Sequence, residues 1–389
     1  MPLTHGQKRA LIGLSEPFLR VLFGAYRLAS LDLGRKLPLS PRRILVVRLD
    51  SIGDVLLSEP AIAALRRRFP KARLDVIAGA AGRAVLEGHP AVDNLVYYEA
   101  PWHAAWRSQT VSWRQEALPL LRMLGKLRRR RYDLVCELRG DFRDIAFAAF
   151  SGARTLAGSG DRGGAFFLTR DVRTAPGSHH AEKAFAIAAA CGAEGPMESP
   201  RLHLTPAERE KASELLPDSG GRYFALHLGA GFASKCLPVE RFVEAARAVA
   251  SAGCKLVLIG GGADAPLASA FKSAYAGPIL DLVGRLTVKE TAAVLERCAL
   301  FAGNDSGPMH LAASAGTPVV AAFGPSDARV YHPWGVPYRI LEMELPCRPC
   351  DFVNCEQGEN VCMTGIQPEQ MAQACLEMLD SRIGAGQGA

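Results

Sequence analysis

Gly303-Asn304-Asp305-Ser306-Gly307-Pro308-Met309-His310, running on through Leu311-Ala312-Ala313-Ser314-Ala315-Gly316 into Thr317-Pro318-Val319-Val320-Ala321-Ala322-Phe323-Gly324, is the stretch on which the reading of this chain turns. The apolar Ala299-Leu300-Phe301-Ala302 before it reads as a buried strand, and Pro318 to Phe323 as a second. Small and apolar residues at helical spacing between them predict a helix packed closely on a sheet. Such a unit places its polar residues at the carboxyl end of the first strand, where open parallel sheets bind ligands. A helix N-terminus there aims backbone N–H groups and the positive end of its dipole at whatever lies above it, a field that suits a phosphate. Ser306 and Gly307 permit close backbone approach, Asp305 can accept a hydroxyl, and His310 stands one turn into the helix. The plainer reading is an ordinary helix start, with Asp305 or Ser306 as its N-cap.

Working outward, 389 residues are long for one core and suggest two domains. A hydrophobic content of 49% with 38 Gly and 25 Pro fits an α/β enzyme rich in tight turns and excludes global disorder. The formal net charge of +7 favours anionic partners such as nucleotides, phosphorylated sugars or anionic lipid. Aromatics are sparse at 7% and no aromatic-interleaved basic patch is found, so no nucleic-acid partner is expected. Six of the ten cysteines (Cys136, Cys191, Cys236, Cys254, Cys298 and Cys375) are scattered through apolar segments, as in a reduced cytoplasmic protein. No signal peptide and no run approaching about 20 apolar residues is seen, so the expected location is the cytoplasm, with peripheral contact at the inner membrane as an option.

Residues 1–40 read as a basic amphipathic extension, in which Leu11 to Leu14 and Phe18 to Phe23 alternate with Lys8, Arg9, Arg20 and Arg27. Such a segment docks on an anionic membrane face or packs on the body of the protein. Arg43 to Leu49 is then a first buried strand, leading through Asp50-Ser51-Ile52-Gly53-Asp54 into a helix from Val55 to Phe69. Further strands are expected at Leu74 to Gly79, Val92 to Tyr98 and Tyr132 to Leu138, with helices between, which makes a parallel sheet with right-handed crossovers. The run Arg128 to Arg131 reads as a solvated helix face, and Arg139-Gly140-Asp141-Phe142-Arg143 as a loop that could contact an acceptor. Residues 195–220, with Pro196, Pro200, Pro206, Pro217 and the pair Gly220-Gly221, read as a linker. A second α/β series follows, with strands at Tyr223 to Leu228, Lys255 to Ile259 and Ile279 to Leu282 before the opening unit. The domains drawn are 1–40, 41–205, 206–365 and a terminal helix and tail at 366–389; two such sheets would set their carboxyl strand ends across one cleft, the default ligand site.

Several side chains suit chemistry. Asp54, before a helix at a strand end, can act as a general base or simply cap the helix. His227-Leu228-Gly229-Ala230-Gly231-Phe232-Ala233-Ser234-Lys235 combines backbone donors with one ammonium, which suits a diphosphate leaving group. It is not a P-loop, and Gly260-Gly261-Gly262-Ala263-Asp264 is no dinucleotide fingerprint. Asp264 can bind a ribose hydroxyl or stand in an exposed turn. Cys347, Cys350, Cys355 and Cys362 form a compact cluster in a loop at 347–362; they can hold structural zinc, an iron–sulfur cluster, a disulfide or no metal.

Taken together, these residues resemble the glycosyltransferase family 9 heptosyltransferases, which build the inner core of bacterial lipopolysaccharide. The matching pieces are Arg43 to Arg48 through Ser51-x-Gly53-Asp54-Val55, then Lys235-x-x-Pro238, then Asn304 to His310 with Phe323-Gly324-Pro325-Ser326-Asp327, and the cysteine-rich stretch. The resemblance implies two Rossmann-like domains facing a central cleft, the GT-B type of glycosyltransferase fold, with the final helix from Pro368 crossing back to the first domain. It also implies an inverting transfer of heptose from ADP-heptose to a lipid-linked oligosaccharide, without a catalytic cofactor or metal. By position Asp54 is then the base and Lys235 steadies the diphosphate. Asp305, Ser306, Gly307, Pro308 and His310, with Gly229, hold the donor, while Asp264 and Leu286 fall near its ribose and base. Arg48, Ser51, Arg139 and Arg143 are the acceptor candidates. The family's Lys-x-Trp-Pro reads Lys235-Cys236-Leu237-Pro238 here, and the compact members lack the first 40 residues. Two other readings stand beside this one: a related transferase using another nucleotide sugar or a protein acceptor, and a non-catalytic nucleotide- or glycan-binding protein.

Overall fold

A computed structural model of the chain describes residues 40–104, 112–217, 222–350, 355 and 358–386. The basic extension at the N-terminus lies outside the described residues. The chain divides after Met197 into two compact units.

The first unit is a six-stranded parallel sheet of β1 (Arg43–Val47), β2 (Arg73–Ala78), β3 (Asn94–Tyr97), β4 (Leu134–Glu137), β5 (Thr155–Gly158) and β6 (Arg170–Asp171). Its order is β3-β2-β1-β4-β5-β6. Ile44, Leu45, Val46 and Val47 are all fully buried, as a strand covered by helices on both faces requires. The helices used below are α1 (Ile52–Arg68), α2 (Trp113–Arg130), α3 (Phe142–Phe150) and α4 (His180–Ala190).

The basic run before β4 is only partly solvated. Arg128 and Arg129 are exposed, but Arg130 turns inward to Asp75 of β2, a carboxylate with 1% exposure. Tyr132 Oη donates to the same carboxylate at 2.8 Å and Arg73 Nε at 3.0 Å. A charge this deep is tolerable only when paired and hydrogen-bonded, and these three side chains meet that requirement.

The second unit repeats the plan with β7 (Tyr223–Leu226), β8 (Lys255–Leu258), β9 (Ile279–Asp281), β10 (Cys298–Asn304), β11 (Val319–Phe323) and β12 (Tyr338–Glu342). The order is β12-β11-β10-β7-β8-β9, again wholly parallel, so both units have the doubly wound arrangement in which strand order reverses beside the first strand. Its helices include α5 (Val239–Ser251), α6 (Gly307–Ser314) and α7 (Pro368–Gly386).

Three strands escape the sequence reading: β5 (TLAG) has Leu156 as its one large apolar residue, β6 is two exposed residues, and β12 is a half-exposed edge. The stretch read as a linker contains a helix, Pro206–Leu215. Thr205 caps it, Glu208 returns the bond to the Thr205 N–H at 2.6 Å, and Pro206 occupies a first-turn position where its missing N–H costs nothing. The final helix packs on α5, burying Met371, Ala374, Cys375, Met378 and Leu379 in the same cluster as Phe242 and Val243. The apolar stripe of α7 is thus used within the second unit.

Met371, with no exposed surface, tests this packing. Met371→Ala should lower the unfolding free energy of the chain by about 2–5 kcal/mol, read from the midpoint of denaturant unfolding. A change below the noise would show that α7 is not part of the core.

Candidate functional site

Each sheet has one place where the chain leaves a strand for neighbours on one side and later returns on the other. In the first unit it lies between β1 and β4, in the second between β7 and β10. The loops at the carboxyl ends of such strands run apart and leave a crevice that accepts ligands. Nearly all the candidate residues sit at these two points.

In the first unit Arg48 follows β1 directly and is 1% exposed. Its Nη1 donates to the Leu138 carbonyl oxygen at 2.8 Å and its Nε to that of Asp54 at 3.1 Å. The same guanidinium lies 3.0 Å from Asp50 Oδ1 and 3.2 Å from Asp54 Oδ1. Arg48 was expected to touch an acceptor; its donors are directed at the loops after β1 and β4. Ser51, rather than Asp54, is the N-cap of α1, and its hydroxyl donates to Asp54 Oδ2 at 2.6 Å. Asp54 therefore stands in the first turn with one oxygen on Arg48 and the other on Ser51. Burial pushes its carboxyl up, but Arg48, then Arg139 and His180, and the Ser51 hydroxyl outweigh that and hold it well below the usual carboxylate range.

Asp50 goes the other way. Burial dominates there, relieved by Arg48 but aggravated by Asp54, and its carboxyl is pushed up to about 6. Arg139, after β4, brings its Nη1 within 3.4 Å of Asp50 and within 3.0 Å of His103 Nδ1. The other nitrogen of His103 lies 3.1 Å from Asp144, which also accepts from Trp102 Nε1 at 2.7 Å. Both contacts are satisfied when Nδ1 accepts from Arg139 and Nε2–H donates to Asp144. Arg143 forks onto Asp141, the N-cap of α3, at 2.8 and 2.9 Å. The first-unit site thus joins Arg48, Ser51, Asp54 and Arg139 with Asp50 and His180, while Arg143 belongs to a neighbouring pair.

In the second unit Asn304 ends β10 with no exposed surface. Its Nδ2 donates to the Leu228 and Gly229 carbonyl oxygens at 2.9 and 3.0 Å, and its Oδ1 accepts from the Leu237 N–H at 3.0 Å. One amide thereby pins both ends of the loop that carries Lys235. Lys235 Nζ lies 2.7 Å from Asp305 Oδ2. Ser306 is the N-cap of α6 by position, but its hydroxyl makes no capping bond; it donates to the Asn304 carbonyl oxygen at 3.1 Å and lies 3.4 Å from His227 Nδ1. Pro308 occupies the first turn of α6, and His310 is buried one turn in.

His227 Nε2 is 3.3 Å from Asp264 Oδ2, and the Gly261 N–H donates to that oxygen at 2.8 Å. Burial raises the Asp264 carboxyl, and the His227 contact and the Gly261 N–H bring it below its ordinary value. Gly229 has a specific reason to be glycine, since a Cβ there would fall 2.0 Å from Asp264 Oδ1. Leu286 is half-buried in the turn after β9, where the Gly284 N–H donates to the Gly260 carbonyl oxygen at 2.9 Å. The second-unit site thus gathers Lys235 with Asp305, Ser306 with His227 and Asp264, and Gly229.

The four clustered cysteines are differently placed. Cys362 is buried and its thiol is pushed up, first by burial, with Arg348 opposing and Cys350, Cys355 and Cys347 adding to the rise. Among the described residues no three of these sulfurs come within 4.8 Å of one another.

Sequence reasoning gave no role to Asp50, His180, His227 or Asn304. Asp50 is four residues before Asp54, and two carboxylates in one loop were a visible signal. His227 and Asn304 lie inside the quoted motifs, but their function is to hold partners far away in sequence. Asn304→Ala would leave the Leu237 N–H and two carbonyl groups buried and unpaired; about 2–4 kcal/mol of stability should be lost, measured by denaturant unfolding. An unchanged midpoint would mean that the loop does not depend on Asn304.

The family model described as glycosyltransferase family 9 (heptosyltransferase) matches residues 120–360. Lipopolysaccharide heptosyltransferase 3 of Escherichia coli is 24% identical over 291 residues, which is 72% of this chain and 83% of that protein. A solved glycosyltransferase family 9 structure from Veillonella parvula superposes with a TM-score of 0.75 at 22% identity, over 89% of this chain and 100% of that one. The Escherichia coli ADP-heptose lipopolysaccharide heptosyltransferase II structure gives a TM-score of 0.68 at 20% identity, over 87% and 99%. At those identities the two structures establish the fold, which is GT-B. The family model spans more than half of the chain, and this protein belongs to glycosyltransferase family 9.

Proposed function

We propose that this chain transfers a heptose from ADP-heptose to a lipid-linked oligosaccharide of the lipopolysaccharide inner core, with inversion at the anomeric carbon and without a catalytic metal. The observation that carries the reading is the Lys235–Asp305 pair at the N-terminus of α6, beside the switch point of the second sheet, in a chain of this family. The ADP-heptose named for the Escherichia coli relative supports the choice of donor.

On this reading the leaving diphosphate lies over the first turn of α6, where the helix dipole and the Lys235 ammonium oppose its charge. Asp305 holds Lys235 in place before the donor arrives. Asp264, fixed by His227 and the Gly261 N–H, accepts from ribose hydroxyls, and Leu286 offers an apolar edge to the base. Asp54 takes the proton from the attacking acceptor hydroxyl. A carboxylate held well below its usual range is a weak base, so its proton transfer comes late, as the hydroxyl acidifies during bond formation. Arg139 and Arg143, in the segment that follows β4, are 12% and 40% exposed and suit phosphorylated or acidic groups on the acceptor.

Asp54→Ala should abolish transfer while ADP affinity by calorimetric titration stays within a few fold; near wild-type turnover would remove Asp54 from the mechanism. Lys235→Ala should lower turnover by about 10²-fold or more, the scale of losing one charge-stabilising donor. Calorimetry with ADP, UDP, GDP and CDP tests the donor directly. Selective binding of ADP is expected, preference for another nucleotide would discard heptose, and no binding would favour a non-catalytic role.

The two carboxylates also predict a pH profile. Asp54 is ionised throughout the neutral and mildly acid range, so it sets no acid limb there. Asp50 takes up a proton as the pH falls through about 6, and Arg48 then draws harder on Asp54. Turnover should hold on the alkaline side of about pH 6, fall below it, and lose that limb in Asp50→Asn. Metal analysis of purified protein tests the cysteines separately. Stoichiometric zinc that disappears in Cys350→Ser would assign a structural ion to them, and absence of metal would leave them as thiols.

A further inference from the structure

α2 has one face packed in the first unit and a second face of unusual composition. Leu127 belongs to the apolar cluster around Tyr132 and Phe147, and Leu120, Met123 and Leu124 pack against it at helical spacing. Turned away from that cluster are Arg114, Leu118, Leu121, Arg122 and Arg129, all exposed. Leu118 is 53% exposed and Leu121 64%. Single exposed leucines are ordinary, but here two of them lie one turn apart among arginines. The helix carries six basic residues against one acid, the half-buried Glu116.

We propose that the outer face of α2 is a docking surface for an anionic lipid bilayer. Leu118 and Leu121 enter the boundary between headgroups and acyl chains, and Arg114, Arg122, Lys126 and Arg129 meet the lipid phosphates. Long basic side chains around a small apolar patch suit that boundary, since their stems lie along lipid while their heads remain in water. The charge on the helix decides against two other occupants. A second copy of the chain would set arginines against arginines. Residues 1–39 carry Lys8, Arg9, Arg20, Arg27, Arg35 and Lys36 against only Glu16 and Asp32, so they too would be repelled. The proposal deepens the reading of a lipid-linked acceptor and rests on that reading for its purpose, although vesicle binding is measured without any transfer reaction.

The test is co-sedimentation of the full chain with vesicles of phosphatidylcholine alone, or of equal parts phosphatidylcholine and phosphatidylglycerol. Wild-type protein should bind only the anionic vesicles and should be released as salt is raised. Leu118→Ser combined with Leu121→Ser, and separately Arg122→Glu combined with Arg129→Glu, should each weaken binding by about tenfold or more. Because all four side chains face water, the unfolding midpoint and ADP binding should not change, so misfolding cannot mimic the result. Failure of wild type to bind, or equal binding by both variants, overturns the proposal, the second outcome leaving residues 1–39 as the attachment. A lowered unfolding midpoint in the variants, or a self-associated wild type that the variants split into monomers, overturns it as well, because the face would then be covered by protein. If binding behaves as expected while ADP is not bound, the lipid surface stands and the donor assignment falls.

Discussion

A doubly wound sheet must open where its strand order reverses. The loops after the two central strands leave toward opposite faces, and no backbone ladder ties them together. Side chains have to close that gap, and in this protein two buried groups do so. Arg48 hydrogen-bonds to carbonyls after β1 and β4, and Asn304 to backbone groups at both ends of the loop after β7. Both are withdrawn from water, so their polar atoms must be matched within the protein, and the matching fixes where the loops lie. Asp50 and Asp54 gather on the first clamp, and the loop that carries Lys235 hangs from the second.

The clamps differ in kind, and so do the sites they hold. Arg48 is charged, and carboxylates collect round it. Asp50 and Asp54 share its guanidinium, yet their proton affinities diverge, because Asp50 is almost closed off while Asp54 keeps 22% of its side chain exposed and has the Ser51 hydroxyl as well. Two neighbouring acids with opposite shifts are a usual sign of chemistry rather than of scaffolding. Asn304 is neutral and leaves the electrostatics of its site to Lys235, Asp305 and α6. That arrangement is poised for an anion, with a cation already held in place.

Much of the architecture was legible because its signals are local. Continuous apolar runs give β1, β10 and β11, and the small residues after Ser306 give α6. Several of the failures share one cause, which is that the deciding partner is remote in sequence. Arg130 resembles its solvated neighbours until Asp75, 55 residues away, is placed beside it. Arg48 looks like a strand end open to a ligand until Leu138 arrives, 90 residues on. His180 has no local mark at all, since its proximity to Asp54 depends on α4 packing against α1. The helix at Pro206 was a different error: the Thr205-x-x-Glu208 capping box was visible, but the prolines around it were weighed as breaks.

The Lys235–Asp305 pair makes a further point about how such a site can bind a diphosphate without first exposing a bare charge. A lysine aimed at an empty anion site would either be drawn away into solvent or repel the positive end of α6. Asp305 prevents both by holding the ammonium 2.7 Å from its own carboxylate, with Lys235 still 22% exposed. On the proposed reading, an arriving diphosphate would let the ammonium exchange one anionic partner for another, so little charge would be uncovered at any stage. The carboxylate left behind is then free to accept from a sugar hydroxyl, which restores its lost hydrogen bond. Only a ligand carrying both an anionic group and a hydroxyl at that spacing satisfies both halves of the exchange. A free diphosphate would strand Asp305 beside its own charge, and a plain sugar would leave the lysine with its original partner. If the donor proposed above binds here, the pair would favour a nucleotide sugar over a bare diphosphate or a bare sugar, with one side chain from the loop after β7 and the other from the end of β10.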